Sequence, residues 1–241
     1  MKKLIFGAIA LSVFAVNAQI KNDRGTFTKP EAGEVIVEIN ATPNVTGGGV
    51  FSLNDPFLNN LSDGLNTGGL DQGQGFDAVN GKYIAPLLKF RYFQSENFAF
   101  RAQFNFVTAN NTVNNDGKKN TVGRTGFALA VGFEKHKSGA ERLSTYYGAD
   151  LLLGLASARS KTEDFTFSQS GFGFGLRGVA GFDYYFIPKV YLGAELGYGL
   201  GFNNFGVIKR KGTGQENDKV KESGFALAPF INPNLRIGFR F

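Results

Sequence analysis

The sequence contains no cysteine and no tryptophan, and it has no apolar run long enough for a membrane-spanning helix. The lack of cysteine excludes disulfides, cysteine metal sites and lipidation of the N-terminus as a lipoprotein. The lack of an apolar helix means that the chain can enter a membrane only as strands. Positive charge is spread along the chain rather than gathered in one run, which argues against a nucleic-acid-binding protein.

Glycine and phenylalanine are unusually frequent, with 33 and 26 copies in 241 residues. Both residues are poor choices for the interior of a soluble helix. They suit strands that pack closely and that present aromatic rings to an apolar medium. The hydrophobic fraction of 42% is too high for a disordered chain and too low for a helical membrane protein, so the composition favours one β-rich domain.

The start of the chain has the features of a secretory signal peptide over residues 1–18. Lys2 and Lys3 make the N-terminus positive, and residues 4–16 form a short apolar run. Residues 16–18 then place small side chains where signal peptidase cleaves. We therefore expect export and cleavage after Ala18. A short periplasmic segment over residues 19–33 and a folded domain over residues 34–241 are expected to follow.

Period-two alternation is the strongest signal in the sequence. In residues 98–106 the even positions are apolar, and Arg101 lies among the odd ones. In the last segment apolar residues occupy the odd positions from Phe225 to Phe241, whereas Arg236 lies among the even ones. Because a strand points alternate side chains to opposite faces, each segment has one apolar face and one polar or small face.

Six other segments alternate in the same way, which brings the expected number of strands to about eight. Several of the segments are longer than the ~9–11 residues that a tilted strand needs to cross a bilayer. The six segments cover residues 35–40, 88–92, 127–134, 143–154, 171–184 and 192–202.

The connections between these strands are expected to alternate in length. Short turns on one rim and long loops on the other are the arrangement of outer-membrane barrels, with both termini on the periplasmic rim. We expect the first long loop to be only locally ordered. Short turns are predicted near residues 94–97, 137–141 and 187–189, and long extracellular loops over residues 46–82, 110–123, 159–170 and 207–222. Aromatic girdle residues are predicted beside the short turns, at Tyr92, Phe93, Tyr146, Tyr147, Tyr184, Tyr185 and Phe186.

The polar faces carry charges mixed with glycines, which favours a membrane barrel over a soluble one. A soluble lipocalin-like barrel would bury the phenylalanine faces and overfill a narrow lumen. A membrane barrel turns those faces to lipid and lets the interior charges pair, with glycines making room for long side chains. We therefore predict a closed antiparallel transmembrane β-barrel with a structural salt-bridge network inside. The predicted interior charges are Glu38, Lys89, Arg91, Arg101, Glu134, Asp150, Arg177, Asp183, Glu195, Arg236 and Arg240.

The run from Asn234 to Phe241 resembles the closing strand of bacterial outer-membrane proteins, an alternating strand that ends in Phe. Residues 90–101, and residues 132–136 with 147–151, are similar to hairpins of the small outer-membrane β-barrel domain family, the OmpA/OmpX-like group. This resemblance implies an eight-stranded outer-membrane barrel over about residues 34–241. It also implies that Phe239 and Phe241 belong to the signal that the barrel-assembly machinery reads. It implies no particular activity, since that family includes adhesins and structural anchors.

No pattern in the sequence requires catalytic, cofactor or metal chemistry. Gly173, Gly175 and Gly178 match the spacing G-x-G-x-x-G, but these glycines alternate with apolar residues inside a predicted strand. A nucleotide-binding turn would need a strand before it and a helix after it. His136, the only histidine, lies beside a short turn. Because outer-membrane hydrolases place their active sites near the outer leaflet, a structural or solvated histidine is favoured.

The preferred hypothesis is a non-enzymatic integral outer-membrane protein that acts in envelope structure or surface interaction through its extracellular loops. Its expected partners are outer-membrane lipid, the barrel-assembly machinery during insertion and an unidentified extracellular ligand. The alternative is a narrow channel or a conduit for small or hydrophobic solutes, as in OmpW-like barrels. A membrane-embedded lipid- or peptide-processing enzyme and a secreted soluble binder are less favoured.

Overall fold

The structure, a computed structural model, describes residues 30–43, 51–52, 56–65, 87–115, 118–138, 140, 142–212, 218–220 and 223–241. The predicted signal peptide, with its cleavage after Ala18, lies outside the described residues. Most of the predicted periplasmic segment, residues 19–33, lies outside them too.

Antiparallel strands make up nearly the whole described chain. No helix in the described ranges is long and apolar enough to span a membrane. In chain order the elements are β1 (Val35–Pro43), β2 (Phe51–Ser52), α1 (Pro56–Asp63), β3 (Leu87–Ser95), β4 (Phe98–Asn115), β5 (Lys118–Ser138), β6 (Leu143–Lys161), β7 (Phe165–Ile187), β8 (Val190–Phe205), β9 (Ile208–Gly212), β10 (Asp218–Val220) and β11 (Gly224–Arg240).

Eight of these strands form the wall of a barrel, and each pairs with two neighbours. The order around the wall is β1, β3, β4, β5, β6, β7, β8 and β11, and β11 pairs with β1 again. In β1, Glu38 lies opposite Gly238 of β11 on one side and Lys89 of β3 on the other. The predicted fold, an all-β antiparallel barrel of eight strands, is confirmed. Over the stretches where neighbouring strands pair, the ring satisfies the backbone hydrogen bonds on both edges of the wall strands.

The outward faces of the wall are apolar, as the alternation predicts. On β8 the side chain of Leu196 is 58% exposed, whereas that of its neighbour Glu195 is 4% exposed. On β4 the corresponding values are 41% for Phe104 and 3% for Arg101. The apolar residues therefore face the surroundings of the barrel, and the charged residues face its lumen.

On β4, β5, β6 and β7 the outward apolar band ends at a common level. On β4 it runs from Phe98 to Phe106, which matches the ~9–11 residues of a membrane-crossing strand. Cross-strand register continues the Phe106 level through Phe127, Leu155 and Phe172. On these four strands the next outward row consists entirely of hydroxyl residues. The change from apolar to hydroxyl side chains marks the edge of the apolar band. That row is Thr108, Thr125, Ser157 and Ser170.

Two of the four predicted long loops are mostly strand. β4 and β5 pair as far as Asn115 opposite Lys118, so the predicted loop 110–123 is the end of a long hairpin. β6 and β7 pair as far as Lys161 opposite Thr166, so residues 162–164 alone separate them. The predicted loop 207–222 contains β9 and β10, and β9 pairs with the first residues of β7. Polar composition indicated loops here, but a strand that projects into water is equally polar.

Three of the predicted girdle aromatics point into the lumen instead. Strand alternation alone decides the direction, and proximity to a turn does not. The outward group contains Tyr92, Tyr147 and Phe186, which are 49%, 47% and 36% exposed, and Tyr184, which lies on the same face of β7 as Phe186 and is half-buried. The inward group contains Phe93, Tyr146 and Tyr185, which are 0%, 4% and 2% exposed.

Candidate functional site in the lumen

The connection from β1 to β3 contains a helix that lies inside the barrel, in the half away from the short turns. Pro56 begins α1 with a backbone angle that suits a first helical turn. Phe57, Leu58 and Leu61 then form one apolar face, and Leu65 continues it just beyond the helix. All four apolar side chains are at most 4% exposed. The first predicted long loop, residues 46–82, therefore supplies part of the lumen core.

The helix is held by wall residues from several strands. Phe57 packs with Leu152 and Phe230, and its ring centroid lies 6.0 Å from that of Phe230. Arg124 of β5 donates from Nη1 to the carbonyl oxygen of Ser62 and, at 3.0 Å, to its hydroxyl. A cation at that position suits the negative end of the helix dipole. These contacts seat α1 against the wall.

Below α1, toward the short turns, ten charged side chains form one ionic layer. None of the ten is more than 4% exposed. Five carboxylates face five cations, so the formal charges of the layer cancel. The carboxylates are Glu38, Glu134, Asp150, Asp183 and Glu195, and the cations are Lys89, Arg91, Arg101, Arg177 and Arg236.

Glu195 of β8 lies at the centre of the layer. Both of its carboxylate oxygens accept from the guanidinium of Arg101, each at 2.8 Å. The ammonium of Lys89 lies 3.0 Å from the carboxylate, and the hydroxyl of Tyr146 donates to it at 2.6 Å. Bidentate, charge-assisted contacts of this kind are among the stronger hydrogen bonds in proteins.

A second centre forms around Arg91 of β3. Its Nη1 lies 2.8 Å from Asp183 and 3.1 Å from Glu134. Its Nε contacts Glu38, and its Nη2 contacts the hydroxyl of Tyr191. One guanidinium thus joins carboxylates from three other wall strands.

The remaining ionic contacts extend the layer toward both ends of the lumen. Asp150 accepts from Arg177 Nη2 at 2.7 Å and lies 2.9 Å from Arg101 Nε. Arg236 Nη2 lies 2.5 Å from Asp183. Arg240 sits apart at the short-turn rim, where its Nε is 3.2 Å from Glu34. The structure thus brings ten of the eleven predicted charges into one layer and places the eleventh at the rim.

His136 belongs to this layer although it was not among the predicted network residues. It is 5% exposed, its Nε2 lies 3.1 Å from Glu134, and its Nδ1 lies 2.9 Å from the hydroxyl of Ser144. Its ring stacks on that of Tyr146 at 5.2 Å. The signal that could have found it is its even number on β5, which it shares with the inward-facing Glu134.

The short-turn end of the lumen is closed by apolar and aromatic side chains. The cluster contains Ile36, Phe93, Ala99, Tyr185 and Tyr191, none more than 2% exposed. Phe239 and Phe241, the predicted assembly signal, face outward at this end and are 39% and 73% exposed.

The lumen is therefore filled in layers: an apolar floor, an ionic middle and a helix at the far end. Asn40 and Asn232 also point into it, and their side-chain amides have no hydrogen-bond partner among the described residues. In the part of the chain that the structure describes, no three histidine or carboxylate side chains are grouped to hold a metal ion. Each carboxylate of the ionic layer contacts a cation, which suits a structural network.

No protein-family model matches the sequence, and no curated protein matches it either. Among solved structures, the N-terminal β-barrel domain of OprF from Pseudomonas aeruginosa is 12% identical, with a TM-score of 0.29, over 88% of this chain and 100% of that one. The outer membrane protein OprG of the same organism is 12% identical, with a TM-score of 0.43, over 91% and 99%. Ail, the attachment invasion locus protein of Yersinia pestis, is 13% identical, with a TM-score of 0.36, over 88% and 100%.

Proposed function

We propose that this chain is an integral protein of the bacterial outer membrane, without enzymatic activity, whose filled barrel anchors polar hairpins outside the cell. The observation that carries the proposal is the pairing of an apolar outer band with a lumen full of neutralised charge. A water-soluble barrel has the reverse arrangement of faces. A barrel in lipid satisfies its backbone around the ring and presents its rings to hydrocarbon.

The filled lumen favours an anchor over the alternative of a channel. A barrel of eight strands leaves an interior that side chains can fill. Here the apolar floor, the ionic layer and α1 lie one above another across that interior. A solute would have to displace buried ion pairs and a packed helix in order to pass.

The hairpins supply the surface that an anchor would display. β4 continues beyond the apolar band from Thr108 to Asn115, which is roughly 25 Å along the strand. β5 runs beside it in register, with Thr112 and Thr121 hydroxyls 3.1 Å apart. A regular sheet that projects from the membrane offers a partner a fixed surface, which suits surface interaction.

Fractionation tests the location. We expect the protein in the detergent-extracted outer membrane, with an unheated form that migrates faster than the heated form on a gel. Protease added to whole cells should cut only on the rim opposite the short turns, where the hairpins extend beyond the hydroxyl row. Recovery in the soluble periplasmic or secreted fraction would contradict the proposal.

Conductance in planar bilayers tests the role. We expect no current steps from the wild-type protein, because the lumen is filled. Replacing residues 56–65 with a glycine–serine linker of equal length should also give none, since the ionic layer remains. A large general porin prepared in the same detergent serves as the positive control. Reproducible current steps from the wild type would establish the channel alternative.

A further inference from the structure

The outward face beyond the hydroxyl row carries basic side chains on β6 and β9, the two strands that flank the start of β7. Register places Arg159 of β6 opposite Ser168 of β7, and Ser168 opposite Lys209 of β9. One row further, Lys161 lies opposite Thr166, and Thr166 lies opposite Lys211. Directly opposed residues of paired strands share a face of the sheet. The basic patch is defined as Arg159, Lys161, Lys209 and Lys211, all of them exposed.

The strand that supplies half of the patch is fixed to the wall. The guanidinium of Arg210 lies on the opposite face of β9, 4.2 Å from the ring centre of Phe165 and 5.5 Å from that of Phe167. Gly206 at the start of this extension donates its N–H to Ser170 at 2.9 Å. Cation–π contacts and backbone pairing therefore hold β9 in register, so that its two lysines stand beside β7.

The distance of the basic patch from the apolar band determines which part of the membrane the patch faces. The last apolar level of β6 is Leu155, the hydroxyl row follows at Ser157, and Arg159 comes next on the same face. Four residues of a strand tilted at about 40° rise roughly 10 Å along the barrel axis. The patch therefore lies where lipid headgroups meet the side of an inserted barrel, and it faces sideways toward them.

Among the described residues, the neighbouring strands β4 and β5 carry no charge at this level. In the same two rows, β4 and β5 carry Asn110 and Gly123, then Thr112 and Thr121. The acidic residues of the β6–β7 connection, Glu163 and Asp164, lie beyond the upper row and farther from the apolar band. The side of the patch nearest the lipid is therefore positive, with serine and threonine hydroxyls between the cations.

We propose that the basic patch binds the phosphate groups of outer-leaflet lipid headgroups. This inference depends on the proposed insertion into the outer membrane, whose outer leaflet is built of phosphorylated glycolipid. Lysine and arginine bind phosphate as charged donors, and neighbouring hydroxyls add neutral hydrogen bonds. Cations at a membrane surface gain most from anionic lipid within a Debye length. The occupant is thus a lipid of the outer leaflet that lies beside the barrel.

The test compares two triple variants in detergent-folded protein. Lys161→Gln/Lys209→Gln/Lys211→Gln removes three charges from the patch. The matched control, Lys135→Gln/Lys137→Gln/Lys189→Gln, removes three exposed lysines at the short-turn end. Binding of fluorescent diphosphorylated lipid A in mixed micelles is measured by anisotropy. We expect the dissociation constant to rise tenfold or more for the patch variant and less than twofold for the control.

Further arms separate the possible sources of binding. A Lys→Arg version of the patch triple should bind as the wild type does, and lipid A without phosphates should bind weakly to every variant. Equal loss in both triples, or no loss in either, would overturn the proposal, as would full displacement by inorganic phosphate at the concentration of the lipid. Each variant is first shown to be folded by its heat-shifted gel band. Because the assay uses micelles, it reports on the patch even if fractionation were to contradict the membrane location.

Discussion

The two halves of the lumen are filled in different ways. In the half near the short turns, the filling belongs to the wall itself, and ion pairs join strands that are distant in sequence. Lys89 and Glu195 are 106 positions apart, and Arg236 and Glu38 are 198 apart. In the other half, the filling is α1, which belongs to the connection between β1 and β3 and packs against walls built by other strands.

The two halves are therefore expected to have different roles: the ionic layer stabilises the wall, and the helix closes the lumen. The ionic layer ties the barrel wall together, so a defect there should weaken the whole structure. The helix fills the other half of the lumen, and we expect that it can undock while the wall strands stay paired. Substitutions in the two halves should therefore differ in what they unfold as well as in how much they cost.

The largest effect is expected from Glu195→Gln. The neutral side chain removes one of the two carboxylates that Arg101 and Lys89 share, so that the buried layer carries an uncompensated positive charge. Breaking a buried ion pair from one side costs about 3–5 kcal/mol. The urea midpoint of unfolding in detergent micelles should fall accordingly. Glu96→Gln in the exposed β3–β4 turn is the control, and it should stay within about 0.5 kcal/mol of the wild type. Similar small shifts in both variants would mean that the ionic layer does not stabilise the wall.

A smaller and local effect is expected from Phe57→Ala. The substitution removes the ring that packs against Leu152 and Phe230, at a cost of up to about 3 kcal/mol. This cost is limited by the free energy that docks α1, because the helix can undock before the wall unfolds. Hydrogen exchange should therefore accelerate in α1 while the amides of β6 remain protected.

The exposed Asn60 of α1 provides the matched control, and Asn60→Ala should leave exchange unchanged. The urea midpoint of Phe57→Ala should stay near that of the wild type. A fall in the midpoint as large as that of Glu195→Gln would show that the helix and the wall unfold as one unit, and the contrast between the two halves would be lost.

The same contrast describes what the sequence could predict. The strands of the wall and the inward position of the ionic residues followed from period-two alternation, because that period fixes the face of every side chain. The helix could not be predicted in this way, because eight residues within a polar loop are too few to show a helical periodicity. The one local signal was Pro56 followed by Phe57, Leu58 and Leu61. The length of the β4–β5 hairpin was also missed, because polar composition does not distinguish a loop from a strand in water.

The smallest effects are expected from a pair of glycine substitutions, one in each half. A Cβ on Gly154 would lie 2.9 Å from the ring of Phe57 and 3.1 Å from Leu61, and one on Gly197 would lie 2.9 Å from the Cδ methylene of Arg177. The ring is packed and cannot retreat, so Gly154→Ala should weaken helix docking by about 1–2 kcal/mol. Arg177 keeps its guanidinium on Asp150 but can shift its Cδ methylene through small changes in several side-chain torsions, so the clash costs less there. Alanine in a strand gains about 0.5–1 kcal/mol over glycine, which should leave Gly197→Ala nearly neutral. Exchange rates in α1 and urea midpoints measure both variants. If Gly197→Ala proved the more damaging of the two, the ionic half would be packed more rigidly than the helical half.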